Sequence, residues 1–372
     1  MIPLDIEVEI LNRLPVKSLM RSLCVSKMWS SIIRTQGFID SYYAMSSATR
    51  PRFIVALSSS SYVKDHAKRL FIFSGEECSS SSSYVSANLD MTIPSLRLAH
   101  GYTCPSVHGF VSCCHGLQFT ICNPSTRQVV TLPACNGYDI TSLGYDPVDH
   151  QFKALIPVAC EYGYDGFIII RLGGGGGGGA QSRSAVTSPP YRPLSKGLCI
   201  DGFLYYGAVT QSETPVIMCF DVRNENISFI TTPKDVLHLD RNSVLIEYKG
   251  KLAAIVGHCL PFNFRGFDLW ILEDVKKHEW SKQTFELPYC LLDMTSPGTN
   301  KAGEIIFAPL KLSLDNLRPF FYIVVYNVAR KDVRRVRIQG FADDEGFRRH
   351  YGLVGFCNVS VSPQHVQSIA SL

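Results

Sequence analysis

GLQFTICNPSTRQVVTL, residues 116–132, holds two short apolar runs on either side of a polar turn. Asn123-Pro124 begins that turn, because an asparagine followed by a proline favours turn initiation. The runs at 116–122 and 128–132 are rich in the β-branched and aromatic residues that favour strands. The stretch therefore predicts two strands joined by a turn.

The same pattern continues in both directions from this stretch, over almost all of the chain after Arg50. About twenty candidate strands recur with turn residues between them, and a helical period is almost absent. Clear examples lie at 52–57, 70–73, 152–158, 203–209, 216–221, 243–248, 252–256, 267–272, 305–308, 320–326 and 332–338.

The length of this strand-rich region selects among the all-β architectures. Residues 47–372 are too many for one sandwich. Blades of ~40–45 residues would tile the region about six or seven times, although no WD dipeptide or kelch glycine pair recurs cleanly. We predict a mainly β protein whose domain at 47–372 resembles a β-propeller.

Two low-complexity runs interrupt the strands, serines at 79–83 and glycines at 173–179. Both predict flexible surface loops. The glycine run matches G-x-G-x-x-G trivially, but neither a helix nor a Lys-Ser/Thr pair follows it, so nucleotide binding is not favoured.

The first 46 residues have a helical period instead. Pro15 is expected to end a first helix and begin a second, and Ser26 can cap a third. Asp5 can cap the first helix, and Glu7 is the one charge inside its apolar arc. That arc spans about 200°, roughly twice the width of one packing face, and contains Leu4, Ile6, Val8, Ile10, Leu11 and Leu14.

So small a helical module is marginal alone, and its surplus apolar surface has two explanations. The helices bind a protein partner, or they dock on the β domain that follows. The period alone leaves both open.

Composition excludes several classes of function. The net charge of +4 is spread along the chain, which argues against nucleic acid. The 13 cysteines lack zinc-ligand spacing, and neither a secretory leader nor a membrane-spanning apolar run is visible. We expect an intracellular protein, cytoplasmic or nuclear, with reduced thiols and no membrane contact.

Catalytic motifs such as G-x-S-x-G and H-E-x-x-H are missing from the sequence. We therefore predict no catalytic residue, no metal, no cofactor and no enzyme activity. His108 and His115 are interpreted as turn or core residues, and the acidic run 343–345 as a solvated loop. The arginines between 334 and 337 favour a charged sheet edge, with contact to an acidic target as the alternative.

The helical segment resembles the plant F-box over IPLDIEVEILNRLPVKSLMRSLCVSKMWSSII, residues 2–33. This resemblance implies binding to the Skp-type adaptor of a cullin-based ubiquitin ligase, and it favours a partner for the surplus apolar surface. Single residues remain open between interface and module core. The candidates for the adaptor interface are Pro3, Ile6, Ile10, Leu11, Leu14, Pro15, Leu19, Leu23, Val25 and Trp29.

The remainder resembles the plant F-box-associated domain of the type 3 β-propeller kind. Matching pieces include RPRFIVAL (50–57), LGYDPVDHQFKAL (143–155) and HEWSK (278–282), where Trp280 would anchor a blade core. Where the family has a short Trp-Arg strand, this chain has the glycine run, so we expect an altered or missing blade strand there.

The two resemblances together imply a substrate-recognition subunit of a Skp–cullin–F-box ligase. An F-box module at 1–46 would bind the adaptor, and the β domain at 47–372 would bind an unknown target. The alternatives are an adaptor-binding protein outside any active ligase, or an enzyme built on a β-propeller.

Overall fold

The computed structural model describes residues 3–59, 68–77, 82–116, 118–132, 140–173, 182–237, 243–258, 263–314, 320–341, 343–353 and 355–372. The glycines at 174–179 and most of the serine run lie outside these residues.

Four helices form the N-terminal module: α1 (Leu4–Arg13), α2 (Val16–Ser22), α3 (Lys27–Ile33) and α4 (Gln36–Thr49). Pro15 precedes α2, and the Ser26 hydroxyl accepts a hydrogen bond from the Trp29 amide at the start of α3, both as predicted. Asp5 does not cap α1, because the helix already begins at Leu4 and Pro3 occupies the N-cap position. Asp5 lies instead in the first turn, where its charge favours the helix dipole.

The β domain contains 26 described strands and a late helix, α5 (Glu345–Tyr351). The strands of the first half are β1 (Arg52–Ser59), β2 (Arg69–Glu76), β3 (Tyr84–Ser86), β4 (Asn88–Pro94), β5 (Ser106–Val107), β6 (Phe110–His115), β7 (Gln118–Asn123), β8 (Gln128–Leu132), β9 (Ser142–Asp146), β10 (Gln151–Ala159), β11 (Tyr164–Leu172), β12 (Arg183–Pro193) and β13 (Leu198–Ile200).

The second half continues with β14 (Phe203–Thr210), β15 (Pro215–Asp221), β16 (Asn226–Thr231), β17 (Ser243–Tyr248), β18 (Lys251–Gly257), β19 (Phe264–Asp274), β20 (Glu279–Leu291), β21 (Met294–Thr299), β22 (Ile305–Pro309), β23 (Lys311–Ser313), β24 (Phe321–Asn327), β25 (Asp332–Gln339) and β26 (Phe356–His365). The predicted strands all fall on these elements, with ends shifted by at most three residues.

Hydrogen bonding arranges the described strands in five sheets, and one of them combines two antiparallel meanders. That sheet has eight strands, β9–β12 followed by β13–β16, joined where β12 pairs with β14. The other meanders are β5–β8, β17–β20, β21–β22–β24–β25, and β26–β1–β2–β4.

Six apolar clusters lie between neighbouring meanders and close the arrangement into a ring. Ile54 of β1 shares a cluster with Val111 of β6, and Val55 of β1 shares another with Val325 of β24. The last strand, β26, pairs antiparallel with the first, β1, which joins the two ends of the domain. The fold is thus mainly β and propeller-like, as predicted, with helices at the N-terminus.

Five hairpin turns in the described chain share one geometry. In the stretch 116–132, the Asn123 side chain accepts a hydrogen bond from the Ser125 amide, and Arg127 takes a positive φ of 63°. The side chains of Asp146, Asp221, Asp274 and Asn327 likewise accept amide hydrogen bonds, and the residue four positions later again has a positive φ.

Three sequence expectations for the β domain are met only in part. Where an altered or missing blade strand was expected, β11 and β12 pair antiparallel on either side of the glycine run, most of which lies outside the described residues. The expected charged edge is covered at one end, since β25 pairs with β24 on one side and, over Arg337–Gln339, in parallel with β3 on the other. The acidic run is exposed, as expected for a solvated loop, and its Asp344 side chain also caps α5.

Candidate functional site

The helical module has an apolar core of its own. Leu11, Leu19 and Tyr42 are 0% exposed, and Val16, Ile33 and Phe38 are also buried with them. Two of the candidate interface residues, Leu11 and Leu19, therefore belong to this core. Three more, Leu14, Leu23 and Trp29, are half-buried and pack against it.

The other five candidates, Pro3, Ile6, Ile10, Pro15 and Val25, are exposed. Leu4 and Met28 are exposed apolar residues that the candidate set omitted, although Leu4 lies on the predicted apolar arc. Five side chains form what we call the apolar surface: Leu4 (58% exposed), Ile6 (47%), Ile10 (42%), Val25 (66%) and Met28 (48%).

Two parts of the module carry this surface. Ile6 and Ile10 are one turn apart and share a face of α1. Val25 lies in the turn between α2 and α3, and Met28 lies in the first turn of α3.

Glu7, the charge inside the apolar arc, has a structural role. The residue is only 8% exposed, and its carboxylate accepts a hydrogen bond of 2.8 Å from the Trp29 indole nitrogen. A buried carboxylate needs such a donor to offset its desolvation. Glu7 therefore fixes α3 against α1, beside the apolar surface.

Helix α4 connects the module to the β domain through a stack of three rings. His108, in the turn between β5 and β6, lies between Tyr43 of α4 and Tyr145 of β9. Its ring centroid is 3.6 Å from that of Tyr43 and 3.8 Å from that of Tyr145. Burial lowers the pKa of His108 to about 3, so the ring is neutral, and burial raises the pKa of both tyrosines.

Polar contacts surround this stack. Asp40 of α4 lies 3.3 Å from the Nδ1 of His150, which also bonds to the Tyr145 hydroxyl at 3.2 Å.

At the other end of α4, the Lys301 ammonium donates to the carbonyls of Ser47 and Ala48. A cation at a helix C-terminus also favours the helix dipole.

The C-terminal segment completes the junction. Ile369 packs in the core cluster of the helical module. Nearby, Asn123 donates from its side-chain amide to the carbonyls of Ser368 and Ala370. The module thus docks on the β domain, as one of the two sequence alternatives predicts, and still leaves the apolar surface exposed.

A cleft of about 500 Å³ lies between β17–β20 and the β21–β25 meander. Three of its four charged side chains are in ion pairs, Lys251 with Glu273 and Glu304 with Arg334. The fourth, Lys249, lies over the Tyr248 ring. Across the described ranges, no group of three His, Cys, Asp or Glu side chains is placed to hold a metal ion.

The other sequence-selected residues of the β domain have structural contacts. Trp280 is half-buried against the cluster between β13–β16 and β17–β20, and its indole nitrogen donates to the Thr231 carbonyl. Arg335 lies over the Tyr289 ring, and Arg337 pairs with Asp343 at 3.0 Å. Within the described part of the chain, no helix has the length and apolar character needed to cross a membrane.

These features define a class of protein in which a helical module with an exposed apolar surface is fixed on a propeller-like β domain. Two family models match the chain, the F-box domain over residues 1–41 and the F-box associated beta propeller domain over residues 57–365. The chain belongs to the F-box proteins that carry this associated propeller domain. The names of these families indicate adaptor proteins rather than enzymes, and an F-box domain in general supports binding to a Skp-type adaptor.

Relatives that match nearly the whole of this chain occur in Arabidopsis thaliana. One F-box protein is 52% identical and covers 100% of this chain and 98% of its own length. A putative F-box protein is 46% identical over 98% of this chain and 82% of its own length. A chain from the crystal structure of a nidogen/laminin complex has a TM-score of 0.49 and 8% identity, covering 85% of this chain and 99% of its own length.

Proposed function

We propose that this protein is the substrate-recognition subunit of a Skp–cullin–F-box ubiquitin ligase inside the cell. Residues 1–46 would bind the Skp-type adaptor through the apolar surface, and the adaptor would link the protein to a cullin. Residues 47–372 would present a target protein, while other subunits carry out the chemistry.

The observation that carries this proposal is the exposure of the apolar surface. The module has a complete core and a docked face on α4, yet five large apolar side chains remain between 42% and 66% exposed. Covering five half-exposed side chains of this size would contribute on the order of 5 kcal/mol. A folded adaptor with a matching groove would gain that energy.

Two valines provide a matched test. Val25 in the module and Val148 in the β9–β10 turn both lie in turns, and they are 66% and 58% exposed. Val25→Asp should weaken binding to a purified Skp-type adaptor by about tenfold or more, because burying an unpaired carboxylate at an interface is costly. Val148→Asp should leave binding unchanged, as measured by biolayer interferometry.

Both variants should keep the melting temperature of the native protein, since neither valine is buried. Equal adaptor affinities for the two variants would contradict the proposed interface. A paired change at Leu14 and Pro15 tests the same idea less cleanly, because Leu14 packs on the module core and its truncation lowers the stability of the module.

Cullin co-purification separates the ligase from the second candidate, an adaptor-binding protein outside an active ligase. Recovery of adaptor and cullin together with the native protein supports the ligase subunit. Recovery of the adaptor without a cullin would support the second candidate. Turnover in a hydrolase screen would instead favour an enzyme.

A further inference from the structure

Two buried cysteines of the β domain face each other in the cluster between β1–β4 and β5–β8. The Sγ atoms of Cys104 and Cys113 lie 2.8 Å apart, and the Cys113 thiol donates toward the Cys104 sulfur. Both residues are nearly inaccessible, at 1% and 3% exposed. This separation is about 0.8 Å longer than a disulfide bond of about 2.0 Å, and both residues are free thiols here.

The chain around the pair determines which sulfur can move. Cys113 lies within β6, which pairs with β7, and its hydrogen bond to Cys104 together with burial raises its pKa well above that of an ordinary thiol. Cys104 lies in the segment 95–105, which has no helix or strand and is held in part by the bond from the Cys104 amide to the Ser360 hydroxyl. Such a segment opens locally more readily than a strand does.

We propose that Cys104 and Cys113 form a reversible redox pair that closes to a disulfide when the protein meets a small-molecule disulfide. Cys104 attacks first, when the segment 95–105 opens. The oxidised form ties the connection between β4 and β5 to strand β6, across two neighbouring meanders of the ring.

The reaction is two successive exchanges. The Cys104 thiolate attacks one sulfur of oxidised glutathione, forms a mixed disulfide and releases the first glutathione thiolate, which takes up a proton. The Cys113 thiolate then attacks the Cys104 sulfur, forms the protein disulfide and releases the second glutathione. Two protein thiols lose two electrons and two protons, and one small disulfide becomes two thiols.

A third cysteine nearby serves as the control. Cys122 of β7 is in the same cluster, but the strand register pairs Cys122 with Val111 and Cys113 with Thr120. Cys122 and Cys113 are therefore diagonal neighbours on one face, and no hydrogen bond joins their sulfurs among the described residues. We expect Cys122 to remain a thiol.

The test uses the full chain, incubated with excess oxidised glutathione, then denatured, alkylated and mapped by mass spectrometry. Cys104 and Cys113 should escape alkylation and appear in one linked peptide, and dithiothreitol should restore both thiols. Cys122→Ser should leave this link intact, and Cys104→Ser should abolish it. Because a ten-residue loop is closed, the oxidised protein should melt on the order of 5 °C higher than the reduced protein.

Full alkylation of Cys104 and Cys113, under conditions in which the exposed Cys24 and Cys290 acquire glutathione, would overturn the proposal. A link from either residue to Cys122 would overturn it as well. Peptide mapping of the native protein decides the question even if Cys104→Ser does not fold. The outcome is independent of adaptor binding.

Discussion

Tyr43 on α4 joins the helical module to the β domain, and its replacement should separate the two while both remain folded. Tyr43→Ala removes a half-buried ring and its stack on His108. Losing roughly 100 Å² of apolar contact at ~25 cal/mol per Å² costs about 2.5 kcal/mol. The stacked pair contributes about another 0.5–1.5 kcal/mol. A loss of about 3 kcal/mol lowers the ratio of docked to undocked module more than about a hundredfold.

Tyr43→Phe is the matched control for this change. It keeps the ring, and the described residues form no hydrogen bond with the Tyr43 hydroxyl, so its effect should stay below about 0.5 kcal/mol. The docking free energy of the two variants then differs chiefly by the ring itself.

Pulsed electron paramagnetic resonance can report the separation directly. Spin labels on the exposed Cys24 of the module and the exposed Cys290 of the β domain give one distance across the junction. Cys78, Cys135 and Cys259, which lie outside the described residues, are replaced by serine. We expect a narrow distance distribution for the native protein and Tyr43→Phe, and a broad one for Tyr43→Ala. An unchanged narrow distribution in Tyr43→Ala would refute the role of the stack.

Three further outcomes follow from residues of the module, of its junction and of strand β26. A double-mutant cycle on Glu7→Ala and Trp29→Phe should give a coupling of about 1.5–3 kcal/mol, read from hydrogen exchange of α1. Lys301→Met should lower protection in the last turn of α4 by about 0.5–1 kcal/mol. Burial lowers the pKa of His365 to about 3. Below about pH 6.5 the imidazole therefore takes up a proton in the unfolded chain but not in the folded protein, and the free energy of unfolding decreases as the pH is lowered. From pH 8 to 5.5, urea unfolding should show the native protein losing about 1.4 kcal/mol more than His365→Asn.

The sequence does contain a repeat in the β domain, but it lies in the hairpin turns and not in the strands. No blade-length motif recurs cleanly in the sequence, whereas five turns repeat an Asx residue followed four positions later by a left-handed residue, as at Asn123 and Arg127. Only the turn demands particular side chains, because the Asx oxygen must accept a backbone amide. The strands need only apolar, β-favouring residues, so their sequences diverge freely.

What the sequence did not predict has two physical causes, contact between residues far apart in the chain and elements too short to show a period. Nothing local to the arginines of β25 indicates a parallel partner at residues 84–86. Helix α5 has seven residues, too few to establish a helical period, and its cap Asp344 looks like any loop aspartate. The stack of Tyr43, His108 and Tyr145 likewise joins three distant segments.

The width of the apolar arc on α1 explains why the helices can serve two purposes. One side of the arc, at Leu11, enters the module core, and the other side, at Ile6 and Ile10, remains exposed. Docking on the β domain instead uses α4 and the packing of Ile369 in the module core, and neither involves the apolar surface. The surface that we assign to the adaptor and the junction that positions the β domain are therefore formed by different side chains. It follows that Val25→Asp and Tyr43→Ala should be independent, the first weakening adaptor binding and the second loosening the junction.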